Sequence, residues 1–463
     1  MADDNDLTPG AGAPRKGRGL SADMVDTAMV SALVVVLTFV SGVALARILG
    51  PEGRGYYGSI QMLAQFGVTF FTLSLFDATI LRIRNREESP EGKVPFVLAL
   101  ATVLLVIMAT AAGAAYLSGW LAFEGLPTGA AILCLGALVA IGLLNKAFIS
   151  IESAALSFGR LNLERVLSPS LFLVAALALW WLGVADVVTV LLAFILAKLP
   201  ILLSRFVRHR SRIVGAIDFG FAREVLALGP RLHAASGTLS LSAQADRLII
   251  IMIWPAEWLG YYFVAYAATG AGLSLASQAI GITLLPSLAG LPVEEQRQKI
   301  ERLFRLGLVC GLSVAVPIWI AAPFVVEVLY GSAFGPAAGY IQGLMFAMLF
   351  RPARSVVNVA NRSQGVGRPG VEVALVTLAT IAVGYGLTGF ARPVDLFVTL
   401  AVGNVLGLAV GMRHLVARGV MRVSLNLVPQ PSDLAFLFDT GQRHVRKLAG
   451  KVLGAGPKTG SKA

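Results

Sequence analysis

Ala46-Arg47-Ile48-Leu49-Gly50-Pro51-Glu52-Gly53-Arg54-Gly55-Tyr56-Tyr57-Gly58 separates two long apolar runs. Much later in the chain a second apolar run ends the same way. There Trp254-Pro255-Ala256-Glu257-Trp258-Leu259 leads into Gly260-Tyr261-Tyr262. One landmark met twice, at similar depth in each half, predicts a duplicated unit. Weak repeats of this kind reveal the plan of many membrane transporters.

Composition agrees with a membrane location. Of 463 residues, 56% are hydrophobic and only 14% charged, with a mean hydropathy of +0.77. Soluble domains carry about 25% charged residues. Several apolar runs reach the roughly 20 residues that cross a bilayer. The first is long enough to stay in the membrane, and no short apolar stretch with a cleavage site marks a signal peptide. The formal charge of +12 would suggest a nucleic-acid partner in a soluble protein. In this chain it is read as topology, because cytoplasmic loops collect Lys and Arg; no nucleic acid is expected.

The pattern predicts about twelve membrane helices, near 24–46, 59–81, 95–117, 128–150, 166–182, 186–203, 225–253, 261–288, 303–326, 340–360, 371–390 and 394–416. Alternate loops are basic. Arg82, Arg84, Arg86 and Lys93 follow the second helix, and Arg205, Arg208, Arg210, Arg212 and Arg223 follow the sixth. The loops 118–127 and 327–339 hold no Lys or Arg. This alternation places both termini in the cytoplasm. The expected fold is an all-α polytopic membrane protein with two six-helix lobes around a central cavity. Its divisions are a disordered cytoplasmic N-tail (1–23), an N-terminal lobe (24–207), a basic inter-lobe loop (208–224), a C-terminal lobe (225–416) and a basic amphipathic tail (417–463). The stretch 432–453 suits a helix lying on an anionic leaflet. The short outer loops leave no room for a catalytic domain, so no enzyme activity is expected.

Several motif matches carry no chemistry. Gly365-Val366-Gly367-Arg368-Pro369-Gly370 fits GxGxxG but lacks a surrounding βαβ unit. Asn361-Arg362-Ser363 fits a glycosylation sequon on the predicted cytoplasmic side. Cys134 and Cys310 sit in apolar runs without a CxxC, and the four histidines are scattered. No metal site and no cofactor are expected.

Ionisable groups at membrane depth are candidates for function because they are costly there. Arg351, Arg354, Asn358 and Asn361 share one face of the tenth helix by their spacing. Arginine keeps its charge and its fork suits phosphate oxygens. The face therefore predicts either an anion-receiving cavity or residues snorkelling to headgroups. The seventh helix carries Arg231, His233, Ser236, Thr238, Ser240, Ser242, Gln244, Asp246 and Arg247, consistent with an aqueous path or with interhelical hydrogen bonds. Gln61 and Gln65 on the second helix, and Ser31, Thr38 and Ser41 on the first, are cavity-lining candidates. Arg47 and Arg54 flank the opening landmark. Asp77 and Asp246 are candidate coupling-ion sites, although Asp77 could also pair with Arg82. Lys198 is read as snorkelling, and Asn404 is left undecided.

Ala44 to Pro51 followed by Gly55-Tyr56-Tyr57 resembles the first-helix signature of bacterial polysaccharide flippases. These belong to the multidrug/oligosaccharidyl-lipid/polysaccharide exporter superfamily. Asp246-Arg247-Leu248, Gly260-Tyr261-Tyr262, Ala265 and Pro286 are similar to its second-half pattern, and Leu329-Tyr330-Gly331 with Phe334 to its later loop. The resemblance spans most of 24–416. It implies a flippase for an oligosaccharide on a polyprenyl diphosphate, working by alternating access in the bacterial cytoplasmic membrane. It also implies the lipid-linked glycan and the bilayer as partners, with a polysaccharide polymerase and glycosyltransferases nearby. A cation-coupled drug exporter of the same superfamily is one alternative, and a non-transporting scaffold of a glycan-synthesis complex is another. Mid-membrane arginines favour the anionic diphosphate over a cationic drug.

Overall fold

The computed structural model describes residues 20–118, 128–288, 291–364, 367–423 and 427–430. The side chains of 20–28, 128, 158, 274–283 and 285–287 lie outside that description. So do most of the expected N-tail, the amphipathic stretch 432–453 and part of the GxGxxG loop. Residues 20–23, expected in the disordered N-tail, belong to the first helix.

All regular structure among the described residues is helical. The helices are α1 (Leu20–Phe70), α2 (Leu75–Arg86), α3 (Val94–Leu117), α4 (Thr128–Ala154), α5 (Phe158–Trp181), α6 (Val187–Leu196), α7 (Leu199–His209), α8 (Phe219–Ser242), α9 (Ala245–Ile253), α10 (Ala256–Leu288), α11 (Val293–Tyr330), α12 (Ala337–Met348), α13 (Arg351–Ser363), α14 (Arg368–Thr388) and α15 (Pro393–Ala417). Eight helices are long and apolar enough to cross a membrane among the described residues. The protein is a multi-pass membrane protein. Apolar side chains such as Ile107, Leu133, Phe324 and Leu387 are exposed on its periphery, where lipid satisfies them and water would not.

The turn within the landmark is confined to one residue. The chain bends at Gly50 alone, whose φ of 67° lies where glycine escapes the Cβ clash. Pro51 then opens the second arm, where its missing N–H costs nothing. Thr38 and Gln61 stand at similar distances either side of Gly50 and line one cavity, so the arms of α1 run side by side. Gly55-Tyr56-Tyr57 falls inside the second arm. Its counterpart, Gly260-Tyr261-Tyr262, falls inside α10, after an extended Trp254.

Four expected helices are broken, each at a polar or proline-bearing point. The second stops at 71–74, where Leu73 and Ser74 take φ of 48° and 53°, and resumes as α2. The sixth breaks at Lys198 before Pro200, giving α6 and α7. The seventh breaks at Ala243-Gln244, giving α8 and α9. The tenth breaks at Leu349-Phe350, so Arg351 and Pro352 open α13. Proline at the first helical turn is tolerated where an interior one would break the ladder.

Two halves form around separate apolar cores. Tyr57, Phe76, Phe148, Phe172 and Leu191 centre the first, which also takes in Phe221 and Val225 from the start of α8. Trp254, Tyr262, Phe334, Tyr340 and Phe397 centre the second, which draws in Ala46 and Met62 from α1. A third cluster, around Phe304, Val356, Val357 and Leu415, packs the far end of the second half. The halves thus meet through α1 against α10 and through α2 against α8.

Candidate functional site

The α1–α10 contact is built from backbone. A Cβ on Gly55 would overlap the Ala256 carbonyl and stand 3.1 Å from the Gly260 nitrogen. A Cβ on Gly260 would overlap the Pro51 carbonyl and stand 3.1 Å from Pro51 Cα. Small residues four apart on both helices permit this approach. The tyrosines beside them are turned into the protein. Tyr57 is 1% exposed and Tyr262 0%. Each anchors the core of its own half behind the crossing.

Arg47 crosses the same junction. Its Nε donates to the Leu329 carbonyl at 2.7 Å and a terminal nitrogen donates to the Val328 carbonyl at 2.5 Å. Those carbonyls belong to the last turn of α11, where orphan acceptors and the helix dipole favour a cation. Arg47 is therefore a clasp between the halves.

Beneath the crossing lies a cavity of about 360 Å³ between the arms of α1, α5 and α6. Arg54, Gln61, Arg165 and Lys198 line it with Tyr57 and Phe172, and no carboxylate is among its lining residues. Arg54 is only 8% exposed. Its Nε and one terminal nitrogen are buried without a hydrogen-bond partner, and its guanidinium carbon is 5.4 Å from the Tyr57 ring centre. Arg165 donates to Ser31 Oγ at 3.2 Å. The Lys198 ammonium stands 4.4 Å from the Phe194 ring centre. Lys198 therefore lines the cavity where snorkelling was expected. A buried guanidinium without a counter-charge is expensive. An anion entering the cavity would satisfy it.

The other expected site residues scatter. Arg354 donates to Asn404 Oδ1 at 2.6 Å and to Thr377 Oγ1 at 3.3 Å, and Asn361 donates to the Val357 and Gly411 carbonyls. These two hold α13 against α14 and α15. Asn358 is exposed and Arg351 half-buried on the open side of α13. The shared face is thus divided, because α15 covers only one edge of it. Arg231 and Gln65 are exposed. Gln244 stays within its own chain break, its Nε2 3.3 Å from Ser240 Oγ. Asp246 is buried and already engaged. It accepts from the Tyr262 hydroxyl at 2.5 Å and lies 3.8 Å from Arg247 Nε. Asp77 does not pair with Arg82, which instead lies 3.6 Å from Glu224.

Sequence reasoning missed Arg165 as a lining residue and read Arg205 as a loop charge. Arg205 is 3% exposed and pairs with Glu152 and Glu164, with Asn145 accepting at 2.7 Å. The signal was present: Glu152 and Glu164 occur close together in a chain poor in acids. Cys134 and Cys310 are both free.

A family profile described as "Polysaccharide biosynthesis protein" matches residues 44–338. The chain belongs to this polysaccharide biosynthesis family. No curated protein matches it. Among solved structures, this family member is similar to the lipid II flippase MurJ in an inward closed conformation, with 10% identity over 87% of this chain and 89% of that one and a TM-score of 0.70. It is also similar to an inward-facing multidrug-resistance MATE transporter of the MOP superfamily, with 15% identity over 83% of this chain and 95% of that one and a TM-score of 0.67. An outward-facing MATE structure gives 0.59 at 15% identity over 86% and 95%. The polysaccharide biosynthesis member thus has the MATE- and MurJ-like fold.

Proposed function

We propose that this chain moves a polyprenyl-diphosphate-linked oligosaccharide from the inner to the outer leaflet of the bacterial cytoplasmic membrane, as a transporter and not an enzyme. The cavity beneath the crossing carries this reading. Arg54, Arg165 and Lys198 converge on it, and no lining residue is acidic. A diphosphate headgroup satisfies such a site, and a cationic drug is repelled by it. The family assignment supports a glycan-linked substrate.

In this reading the two lobes, 24–207 and 225–416, alternate about the crossing. The basic loops face the cytoplasm, so the Gly55–Gly260 end faces outward and is closed here. Arg351, Asn358, Arg231 and Gln65 keep open faces along the path of the sugar. Glycosyltransferases supply the substrate and a polymerase consumes it.

The test uses purified protein in liposomes without ATP. Translocation of a polyprenyl-diphosphate sugar, lost on Arg54→Ala, is the expected result. Export of a cationic dye in place of the lipid-linked sugar, or a strict need for ATP, would overturn the reading.

A further inference from the structure

The second junction between the halves has a different chemistry from the first. Between α1 and α2, Leu73 and Ser74 are held in the left-handed region, which is strained for a non-glycine residue. That strain turns Ser74 toward α8. Its hydroxyl lies 2.7 Å from Ser236 Oγ and 3.4 Å from His233 Nδ1. Below this point the same seam continues through Arg86 with Glu224, and Lys93 with Asp218 at 2.9 Å.

His233 is seated closely. The Phe70 ring meets it edge-on at 5.1 Å. On its own helix, a Cβ on Gly237 would stand 2.6 Å from His233 Nε2, so only glycine one turn on lets the ring lie there. Nε2 is buried and has no hydrogen-bond partner among the described residues. The charged group bearing on the ring is Lys146 of α4, whose ammonium lies 3.2 Å from Thr72 Oγ1. Asp77 of α2 bears in turn on Lys146. Arg231, on the same helix, is exposed. From α14, Glu372 is tied to Arg368, Arg413 and His414.

We propose that His233 is a proton-binding site that controls the α2–α8 seam and couples the transporter to protons. This deepens the transport reading by naming the coupling ion. The step is the transfer of one proton from water to Nε2, turning neutral imidazole into imidazolium. In the closed seam the new N–H would face Gly237 without an acceptor, beside the Lys146 ammonium. Both costs disappear when the seam parts, because water then reaches the ring and Lys146 no longer faces it. The open seam therefore binds the proton more tightly than the closed one, and by linkage protonation favours opening.

The test needs no substrate, so it stands or fails apart from the flippase reading. Spin labels are placed through Arg84→Cys and Arg223→Cys in a Cys134→Ala, Cys310→Ala background, in lipid nanodiscs. Inter-label distances are followed from about pH 8 to about pH 5, across the imidazole range. The expected result is one transition to longer distances on acidification. His233→Asn, which keeps a hydrogen-bonding group toward Ser74, removes it. Lys146→Met moves it to more alkaline pH while the protein still elutes as a folded species. If acidification leaves the distances unchanged, or the transition survives His233→Asn, the proposal is wrong. A seam that responds to sodium at fixed pH, and not to protons, overturns it equally.

Discussion

Gly55 and Gly260 each occupy the position where the other helix presents its backbone. Gly55 faces the Ala256 carbonyl and Gly260 faces the Pro51 carbonyl. Both offsets are four residues, so the crossing has approximate two-fold symmetry within one chain. This is the self-complementary logic of a dimer interface written into a duplicated sequence.

Gly55→Ala or Gly260→Ala cannot be accommodated without separating the helices. Overpacking of this kind costs about 1–3 kcal/mol, here charged against one conformer. Either substitution should cut glycan export at least tenfold while the protein still inserts. Cysteine labelling near Pro51 should rise, because the junction stands open more of the time.

Arg47→Ala should loosen the same junction by a different route. It removes two charge-assisted bonds to the end of α11, each worth about 1.5–3 kcal/mol when buried and less at an exposed site. Arg47→Lys should restore only part, since one ammonium cannot reproduce the two-pronged contact. The readout is the exposure of a cysteine placed at Val328.

Arg54→Ala and Lys198→Ala should both abolish flipping, and Arg54→Ala should also raise the melting temperature in detergent. Removing an uncompensated buried charge relieves a folded-state cost. A melting temperature that falls sharply would show that Arg54 has a structural partner and that the cavity is not poised for an anion.

Arg205→Ala should do the opposite. It leaves Glu152, 4% exposed, as a buried carboxylate with less compensation. Breaking such a pair costs about 3–5 kcal/mol. Thermal unfolding in detergent should show a large drop, with Glu152→Gln and Arg205→Ala together less damaging than Arg205→Ala alone.

The base of the α2–α8 seam should weaken in acid. The Phe221 amide and then Lys93 hold the Asp218 carboxyl below its ordinary 3.8, and Lys93 does the same for Glu88, ordinarily 4.5. Groups with depressed folded values stabilise above their unfolded pKa, and that stability is lost as pH falls through the folded value. Melting temperature should therefore fall as pH drops below about 4. Asp218→Asn should flatten that limb by lowering the melting temperature at neutral pH toward its acid value.

The sequence by itself determined the class, the duplication and the positions of most helices. Hydropathy and the alternation of basic loops report a solvent boundary, and that boundary acts on each segment separately. The repeated Gly-Tyr-Tyr located the two halves for the same reason. Its meaning was decided only by the tertiary structure, because a glycine needed for a turn and one needed for close approach look alike in sequence. The candidate site divided the same way. Gln61 was legible as a polar residue within a span, and Arg54 as a charge flanking the landmark. That Arg165 and Lys198 join them, that Arg354 spends its donors on Asn404 and Thr377, and that Arg205 is buried against Glu152 all depend on which helix lies opposite. An arginine's cost in the membrane is local, but what relieves it comes from another part of the chain.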